Sequence, residues 1–163
     1  MKKMIMTLAL ALCSCLWMMA ETVDEFVNTM KNDTTVEYVE LTPDKLKLMI
    51  AQQGVPKDAD AKKAIDILEK VAHIEMLTGN LPADSAPLKA RLAALTVDGL
   101  DEMVNTNEEG ELTRVWMQTD GQNCKMILVV NADEGDHDWQ VVKLHCDIVM
   151  DGDFNLNNLM HLD

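Results

Sequence analysis

Two cysteines in the last third of the chain form the residue pair with the best-defined chemistry. Cys124 and Cys146 are the cysteines that remain once Cys13 and Cys15, near the start, are set aside. An even number of cysteines indicates a disulfide bond if the chain works in an oxidising compartment. Two thiols that pack as small apolar side chains would leave the same pattern. Both interpretations stay open for Cys124 and Cys146: a disulfide bond, or two buried thiols.

A second candidate site lies near the end of the chain, where oxygen ligands alternate with other residues. Asp151, Asp153 and Asn155 are spaced as the first ligands of a calcium-binding loop. Leu156 stands where such a loop has its turn glycine, and Leu162 where it has a bidentate glutamate. These departures favour a solvated loop over a calcium site, so we expect no metal or other cofactor.

The spacing of the histidines, of Ser85 and of the acidic residues gives little support to a catalytic site. No two of the four histidines have the His-x-x-x-His spacing of a zinc site; they are His73, His137, His145 and His161. Ser85 lacks the Gly-x-Ser-x-Gly context of a hydrolase nucleophile. The many acidic residues allow carboxylate pairs of every kind and so support none of them. We expect a non-enzymatic protein without catalytic residues, with a hydrolase as the weakest alternative.

The first twenty residues have the three-part layout of a secretory signal peptide. Lys2 and Lys3 precede an apolar run over residues 4–16, and Ala20 precedes the polar Glu21. The run is shorter than the about 20 apolar residues that a membrane-spanning helix needs. We therefore predict a signal peptide over residues 1–20 and one mature α+β domain over residues 21–163.

A lipid anchor is the alternative to a cleaved signal. Cys15 follows the small residue Ser14, as the lipid-acceptor cysteine of a bacterial lipoprotein does. The apolar segment continues past Cys15 to Met19, which favours cleavage after Ala20. We expect contact with a membrane only if Cys15 carries lipid, and a single acyl chain would hold it there weakly.

The net charge of the chain limits the kinds of molecule that it is expected to bind. Its 28 acidic residues outnumber its 14 basic residues, which gives a formal net charge of −14. Phosphate backbones bind proteins through basic clusters that release counterions, so nucleic acid is not an expected partner. Most of this charge serves solubility, while a basic partner surface would be attracted to it.

Periodicity and turn residues predict helices and strands in the first two thirds of the chain. Thr22 and Glu25 form a capping box before a helix over residues 23–31. Alternating residues predict a strand over 34–41. The other segments are a helix from Pro43 to Gly54, a helix from Asp60 that gives way to a strand near Val71, and a helix through Leu88, Leu92 and Leu95 that begins at Asp84 or Ser85.

The last third predicts four strands, over residues 100–106, 111–119, 123–131 and 139–149. Asp120-Gly121 indicates a two-residue hairpin turn. Pairing Thr119 with Gln122, and Asn131 with Trp139, places Cys124 directly opposite Cys146. This register also predicts one apolar face, made of Val115, Met117, Cys124, Met126, Leu128, Val142, Leu144, Cys146 and Ile148. We predict an α+β fold in which a C-terminal four-stranded antiparallel meander is joined by one or two N-terminal strands and covered on one face by helices.

This order of elements resembles domain-of-unknown-function family 4252, a group of small secreted bacterial proteins. The matching segments are 36–39 before 46–50, then 74–78, then 112–148. The resemblance implies a protein exported to the periplasm or cell envelope of a gram-negative bacterium. It carries over no catalytic residue, and it favours a strand over residues 71–78.

These observations lead to two expectations about function. The first is a binding or interaction module that contacts an envelope protein. The alternative is a carrier of a small apolar ligand, because methionine side chains give an adaptable interior; they are Met49, Met76, Met103, Met117 and Met126.

Overall fold

The computed structural model describes residues 20–53, 69–108 and 110–150. Within these ranges the chain forms three helices and six strands. In chain order they are α1 (Val23–Met30), β1 (Val36–Leu41), α2 (Pro43–Gln53), β2 (Val71–Asn80), α3 (Ala86–Ala93), β3 (Asp101–Glu108), β4 (Glu111–Asp120), β5 (Asn123–Asp133) and β6 (Asp138–Val149). The expected α+β class is confirmed, and the predicted strand near Val71 begins at that residue.

The six strands form one sheet in the order β1-β2-β6-β5-β4-β3, and every neighbouring pair is antiparallel. The strands β3 to β6 are neighbours in chain order, whereas β2 pairs with β6 and leaves β1 at the edge. The long connection between β2 and β3 contains α3, which lets β2 lie beside β6, the last strand of the described residues. The sheet therefore brings residues near position 75 against residues near position 143.

The first face of the sheet carries the larger apolar cluster. Its buried strand residues are Leu77, Leu112, Trp116, Leu128, Val130, Ala132, Trp139 and Val141. Helices α1 and α3 contribute Phe26 and Leu92 to this cluster, and both side chains are fully buried. The Phe26 ring meets Trp139 edge to face, with centroids 5.6 Å apart.

The second face of the sheet is also apolar. Its buried strand residues are Val71, Val115, Met117, Cys124, Ile127, Cys146 and Ile148. Leu46 of α2 packs among them and is 4% exposed. The expectation of helices on one face alone is therefore wrong, because α2 lies on the face opposite α1 and α3.

A β-bulge at Lys125 explains why the predicted single apolar face is wrong. Thr119 pairs with Cys124 but Gln118 pairs with Met126, so Lys125 is an extra residue in β5. An extra residue reverses the alternation of side chains along a strand. Leu128 consequently lies on the first face with Met126, while Val115, Met117, Cys124, Leu144, Cys146 and Ile148 share the second face as expected.

The hairpin registers also differ from the predicted ones. Asp120 pairs with Asn123, so the two turn residues are Gly121 and Gln122 rather than Asp120 and Gly121. Gly121 has a φ of 61°, whereas Gln122 does not have a positive φ, and this combination indicates a type II′ turn, where glycine is favoured at the first turn position. In the next hairpin Asn131 pairs with Gln140 instead of Trp139. Cys124 consequently pairs with Ile148 and does not directly face Cys146.

Local signals hold α1 in place at its first turn. The Thr22 hydroxyl accepts a hydrogen bond from the Glu25 N–H, and the Glu25 carboxylate accepts one from the Thr22 N–H, as the capping box predicts. The Val23 N–H donates to the Thr96 carbonyl, which ties the helix start to the segment after α3. No helix among the residues described is long and apolar enough to cross a membrane.

Candidate functional site

Lys143 lies at the centre of a charged cluster on the first face of the sheet. Its ammonium group pairs with Asp24 at the start of α1 and lies 3.8 Å from Glu75 Oε2 on β2. The Lys143 side chain is 18% exposed, whereas Asp24 is 72% exposed. Strand pairing sets this arrangement, because Glu75 and Lys143 are direct partners in the β2–β6 ladder.

Tyr38 extends the cluster to the edge strand β1. Its hydroxyl donates to Glu75 Oε1 at 3.0 Å. Burial, that hydrogen bond and the negative charge of Glu75 raise the pKa of Tyr38 to about 12. The phenol therefore stays protonated at neutral pH, where it acts as a hydrogen-bond donor and not as a base.

Two histidines stack on this side of the sheet. The rings of His73 and His145 are direct partners across β2 and β6, with centroids 5.8 Å apart and planes inclined by 21°. His73 Nε2 lies 3.1 Å from Glu40 Oε1, in a geometry that makes no hydrogen bond. Burial lowers the pKa of His145, and the positive charges of Lys143 and His73 lower it further.

A cavity of about 180 Å³ opens next to Lys143. It lies where α1 begins, where the segment 96–100 passes, and where β5 and β6 pair. Its apolar wall is formed by Val23, Val97, Leu100, Met126 and Leu128, and its polar wall by Thr22, Asp24, Thr96, Asp98 and Lys143. We call this cavity, with the exposed carboxylates of Asp24 and Asp98 at its rim, the acidic pocket.

The apolar wall and the two carboxylates of the acidic pocket suit a side chain or ligand group with an apolar stem and a positively charged end. Asp24 already holds one cation, Lys143, and Asp98 is a second exposed carboxylate beside it. Leu128 and Val23 are at most 2% exposed, so the apolar wall of the pocket belongs to the buried core. Of the charged groups of the pocket, Asp24 and Lys143 hold each other in place by their ion pair.

The side chains of Cys124 and Cys146 meet on the second face of the sheet. Cys146 Sγ lies 3.8 Å from Cys124 Sγ and 3.4 Å from the Cys124 carbonyl oxygen. The expected proximity is confirmed, although the predicted direct pairing is not. This distance is that of two thiols in contact, since a disulfide has its sulfurs about 2.05 Å apart.

Ser85 lies at the N-cap of α3, a helix that packs on the first face of the sheet. Its hydroxyl donates to Glu134 Oε1, which also accepts a hydrogen bond from Lys89. These contacts lower the pKa of Glu134, and a carboxylate of low pKa is a weak general base. The cluster ties α3 to the turn between β5 and β6.

The remaining predicted site residues lie outside the described ranges. The weak calcium candidate Asp151, Asp153 and Asn155 and the lipid-anchor candidate Cys15 belong to this group. Within the described ranges, no three His, Cys, Asp or Glu side chains are placed to hold a metal ion.

Sequence reasoning missed the charged cluster and the acidic pocket. Glu75 and Lys143 are far apart in the chain, and only the β2–β6 pairing brings them together. A usable signal was the alternation of polar residues in β2, where His73 and Glu75 point to one face of an otherwise apolar strand.

Comparison with known proteins finds a match to a family model. A family model described as domain of unknown function (DUF4252) matches residues 29–162. No curated protein and no solved structure matches the chain.

Proposed function

The chain belongs to the DUF4252 family, and from that premise we propose that it is an exported, non-enzymatic binding module. Its place of action is the periplasm or cell envelope of a gram-negative bacterium, and its partner is an envelope protein. We take β3 to β6 as a meander to which β1 and β2 are added, and this unit carries the acidic pocket. The proposal concerns one mature domain over residues 21–163.

The proposed export of the protein rests on its N-terminal sequence. The charged start, the apolar run over residues 4–16 and the Ala20–Glu21 junction support export with cleavage after Ala20. Intact-mass measurement of the exported protein tests this, because the mature chain would begin at Glu21. A mass that includes a diacylglyceryl group on Cys15 would replace cleavage after Ala20 with a lipid anchor.

The acidic pocket is the observation that carries the binding role. Small-molecule pockets usually enclose about 300 to 1,000 Å³, and this cavity has a volume of about 180 Å³. A volume that small favours contact with part of a larger partner over enclosure of a whole ligand. The carboxylates of Asp24 and Asp98 favour a lysine or arginine side chain of that partner.

The net charge of the chain supports a basic partner surface. A protein with a formal charge of −14 attracts basic surfaces over distances of about 10 Å at ordinary salt concentrations. Complementary charge raises the rate of encounter and selects among partners more than it raises affinity. The same charge disfavours nucleic acid, whose phosphates would be repelled.

The alternative function, a carrier of a small apolar ligand, has less support. Met126 lines the acidic pocket, whereas Met117 is buried on the second face of the sheet. Met49 and Met103 are 45% and 54% exposed. These methionines are therefore spread over the molecule, and of these four only Met126 lines the acidic pocket.

Site-specific crosslinking in living cells tests the proposed function. A photoreactive amino acid in place of Val97, which lines the acidic pocket, would leave both carboxylates intact, and we expect it to form a defined protein adduct in the envelope fraction. A matched control places the same group at Leu48, which is 59% exposed on α2 and does not line the pocket. An adduct of equal yield at both positions would contradict a role for the acidic pocket.

Charge dependence makes the test specific to a basic partner. With the crosslinker at Leu100, a second pocket residue, Asp98→Lys should reduce the adduct more than Asp98→Asn does. Higher salt should reduce the adduct of the unchanged chain, because salt screens exposed charges. A protein adduct that is insensitive to both changes would contradict recognition of the partner through charge.

A further inference from the structure

Cys124 and Cys146 form a closed pair of thiols within the second face of the sheet. Cys124 is 0% exposed and Cys146 is 6% exposed. Their neighbours in this cluster are apolar and include Val115, Met117 and Ile148. Within the described residues, each sulfur has the other thiol and the local backbone as its polar contacts.

The bulge at Lys125 is what brings the two sulfurs together. Cys124 pairs with Ile148 and Met126 pairs with His145, so Lys125 alone lies opposite the two residues Cys146 and Asp147. In a regular ladder Cys146 would be displaced by two positions from Cys124. The irregular ladder instead turns both side chains inward, where Cys146 Sγ lies 3.8 Å from Cys124 Sγ.

We propose that Cys124 and Cys146 are the site of a disulfide bond between β5 and β6, formed while the sheet folds. The oxidant is a disulfide of the cell envelope or, in solution, oxidised glutathione. The contact distance means that side-chain rotation and a small backbone adjustment suffice to close the bond. The proposal concerns the covalent state of the chain and is independent of what its acidic pocket binds.

The exchange proceeds in two balanced steps. The thiolate of one of the two cysteines attacks one sulfur of the oxidant, which forms a mixed disulfide and releases one thiolate. The other cysteine then loses its proton and attacks the sulfur of the first, which closes the protein disulfide and releases the second thiolate. Two protein thiols lose two electrons, the oxidant disulfide gains them, and the two released thiolates take up the two protons.

In the folded sheet the hydrogen bond from Cys146 lowers the pKa of Cys124, while that same contact and burial raise the pKa of Cys146. Both sulfurs are buried there. An external disulfide therefore reaches either of them only before β5 and β6 close.

Oxidative refolding of the full chain tests the bond without need of export or a partner. We would use a background with Cys13→Ser and Cys15→Ser, unfold and reduce it, and refold it with reduced and oxidised glutathione. Trypsin cuts after Arg114, Lys125 and Lys143 and so places the two cysteines on separate peptides. We expect peptides 115–125 and 144–163 to be recovered joined, and a mass lower by two hydrogen atoms.

Two further measurements decide the outcome. The bonded form should melt roughly 5 to 10 °C above the reduced form, because the bond closes a loop of about twenty residues in the unfolded chain. Cys124→Ala and Cys146→Ala should each abolish the joined peptides, because one of the two sulfurs is then missing. Refolded protein that keeps both thiols in excess oxidised glutathione, or a bonded form that melts below the reduced form, would overturn the proposal.

Discussion

Gly79 on β2 and Trp139 on β6 are direct partners in the sheet, and the indole ring covers the glycine. A Cβ atom on residue 79 would lie 2.7 Å from Trp139 Nε1 and 2.8 Å from Cε2. A Cβ atom cannot lie that close to ring atoms unless something moves, so the bare backbone at Gly79 makes room for the ring. Trp139 in turn meets Phe26, and the glycine thereby determines how α1 packs on the sheet.

We predict that Gly79→Ala lowers the free energy of unfolding by about 1 to 3 kcal/mol, the usual cost of overpacking a core. Denaturant unfolding measures it. A double-mutant cycle with Trp139→Leu supplies the control, because the alanine should cost less once the indole is gone. Equal costs in the two backgrounds would mean that the ring does not cause the effect.

Both faces of the sheet should prove essential for stability. Ile127 and Leu128 are adjacent in β5, lie on opposite faces and are 4% and 0% exposed. We expect Ile127→Ala and Leu128→Ala each to destabilise by about 2 to 5 kcal/mol, through lost contacts and a new cavity. Lys125→Ala, in the bulge between them and Cys124, should change stability by less than about 0.5 kcal/mol, apart from its exposed ion pair with Asp147. A negligible cost for Ile127→Ala would show that the second face is not part of the core.

Stability should fall as the pH falls below about 6.5, the ordinary pKa of histidine. Burial beside Lys143 and His73 lowers the pKa of His145 in the folded chain, so the unfolded chain takes up its proton first as the pH falls. The stabilisation is complete above the unfolded pKa and is lost as the pH falls toward the folded pKa. We expect His145→Gln to reduce the loss of melting temperature between pH 7.5 and 5.5. An unchanged pH profile in the variant would assign the effect to other groups.

Tyr38 should ionise at a higher pH than a free tyrosine. Its pKa is raised to about 12 by burial and by Glu75, so ultraviolet absorbance should show a phenol transition well above pH 10. Since the folded pKa exceeds the unfolded one, the stabilisation is complete below pH 10 and is lost as the pH rises toward 12. Glu75→Gln should move the transition down, and a transition that stays in place would remove Glu75 as a cause.

Arg114 should be hard to replace, even by lysine. Its guanidinium donates to the carbonyls of Ala93 and Leu95 after α3, pairs with Glu102 and lies 4.3 Å from the centroid of the Trp116 ring. Lysine keeps the charge but not the planar fork that makes these contacts together. We expect Arg114→Lys to destabilise by about 1 to 3 kcal/mol in denaturant unfolding. Lys31→Arg, at the exposed end of α1, is a control that should change little.

The sequence by itself determined the helices and strands that the structure describes. The capping box at Thr22, the proline at the start of α2 and the turn glycine at 121 act on neighbouring residues. Their effects can therefore be read locally. The strand predicted from Val71 and the four strands of the last third follow from the same kind of evidence. These signals also predicted that Cys124 and Cys146 would be close.

The tertiary structure alone decided the register, the two-sided core and the acidic pocket. The Lys125 bulge reverses the side-chain alternation of β5, and no residue type near Lys125 indicates that the strand contains an extra residue. The contact of Lys143 with Asp24 and Glu75 joins three distant parts of the chain. Such contacts arise when apolar surface is buried on both faces at once, a condition that depends on the whole fold and not on any one segment.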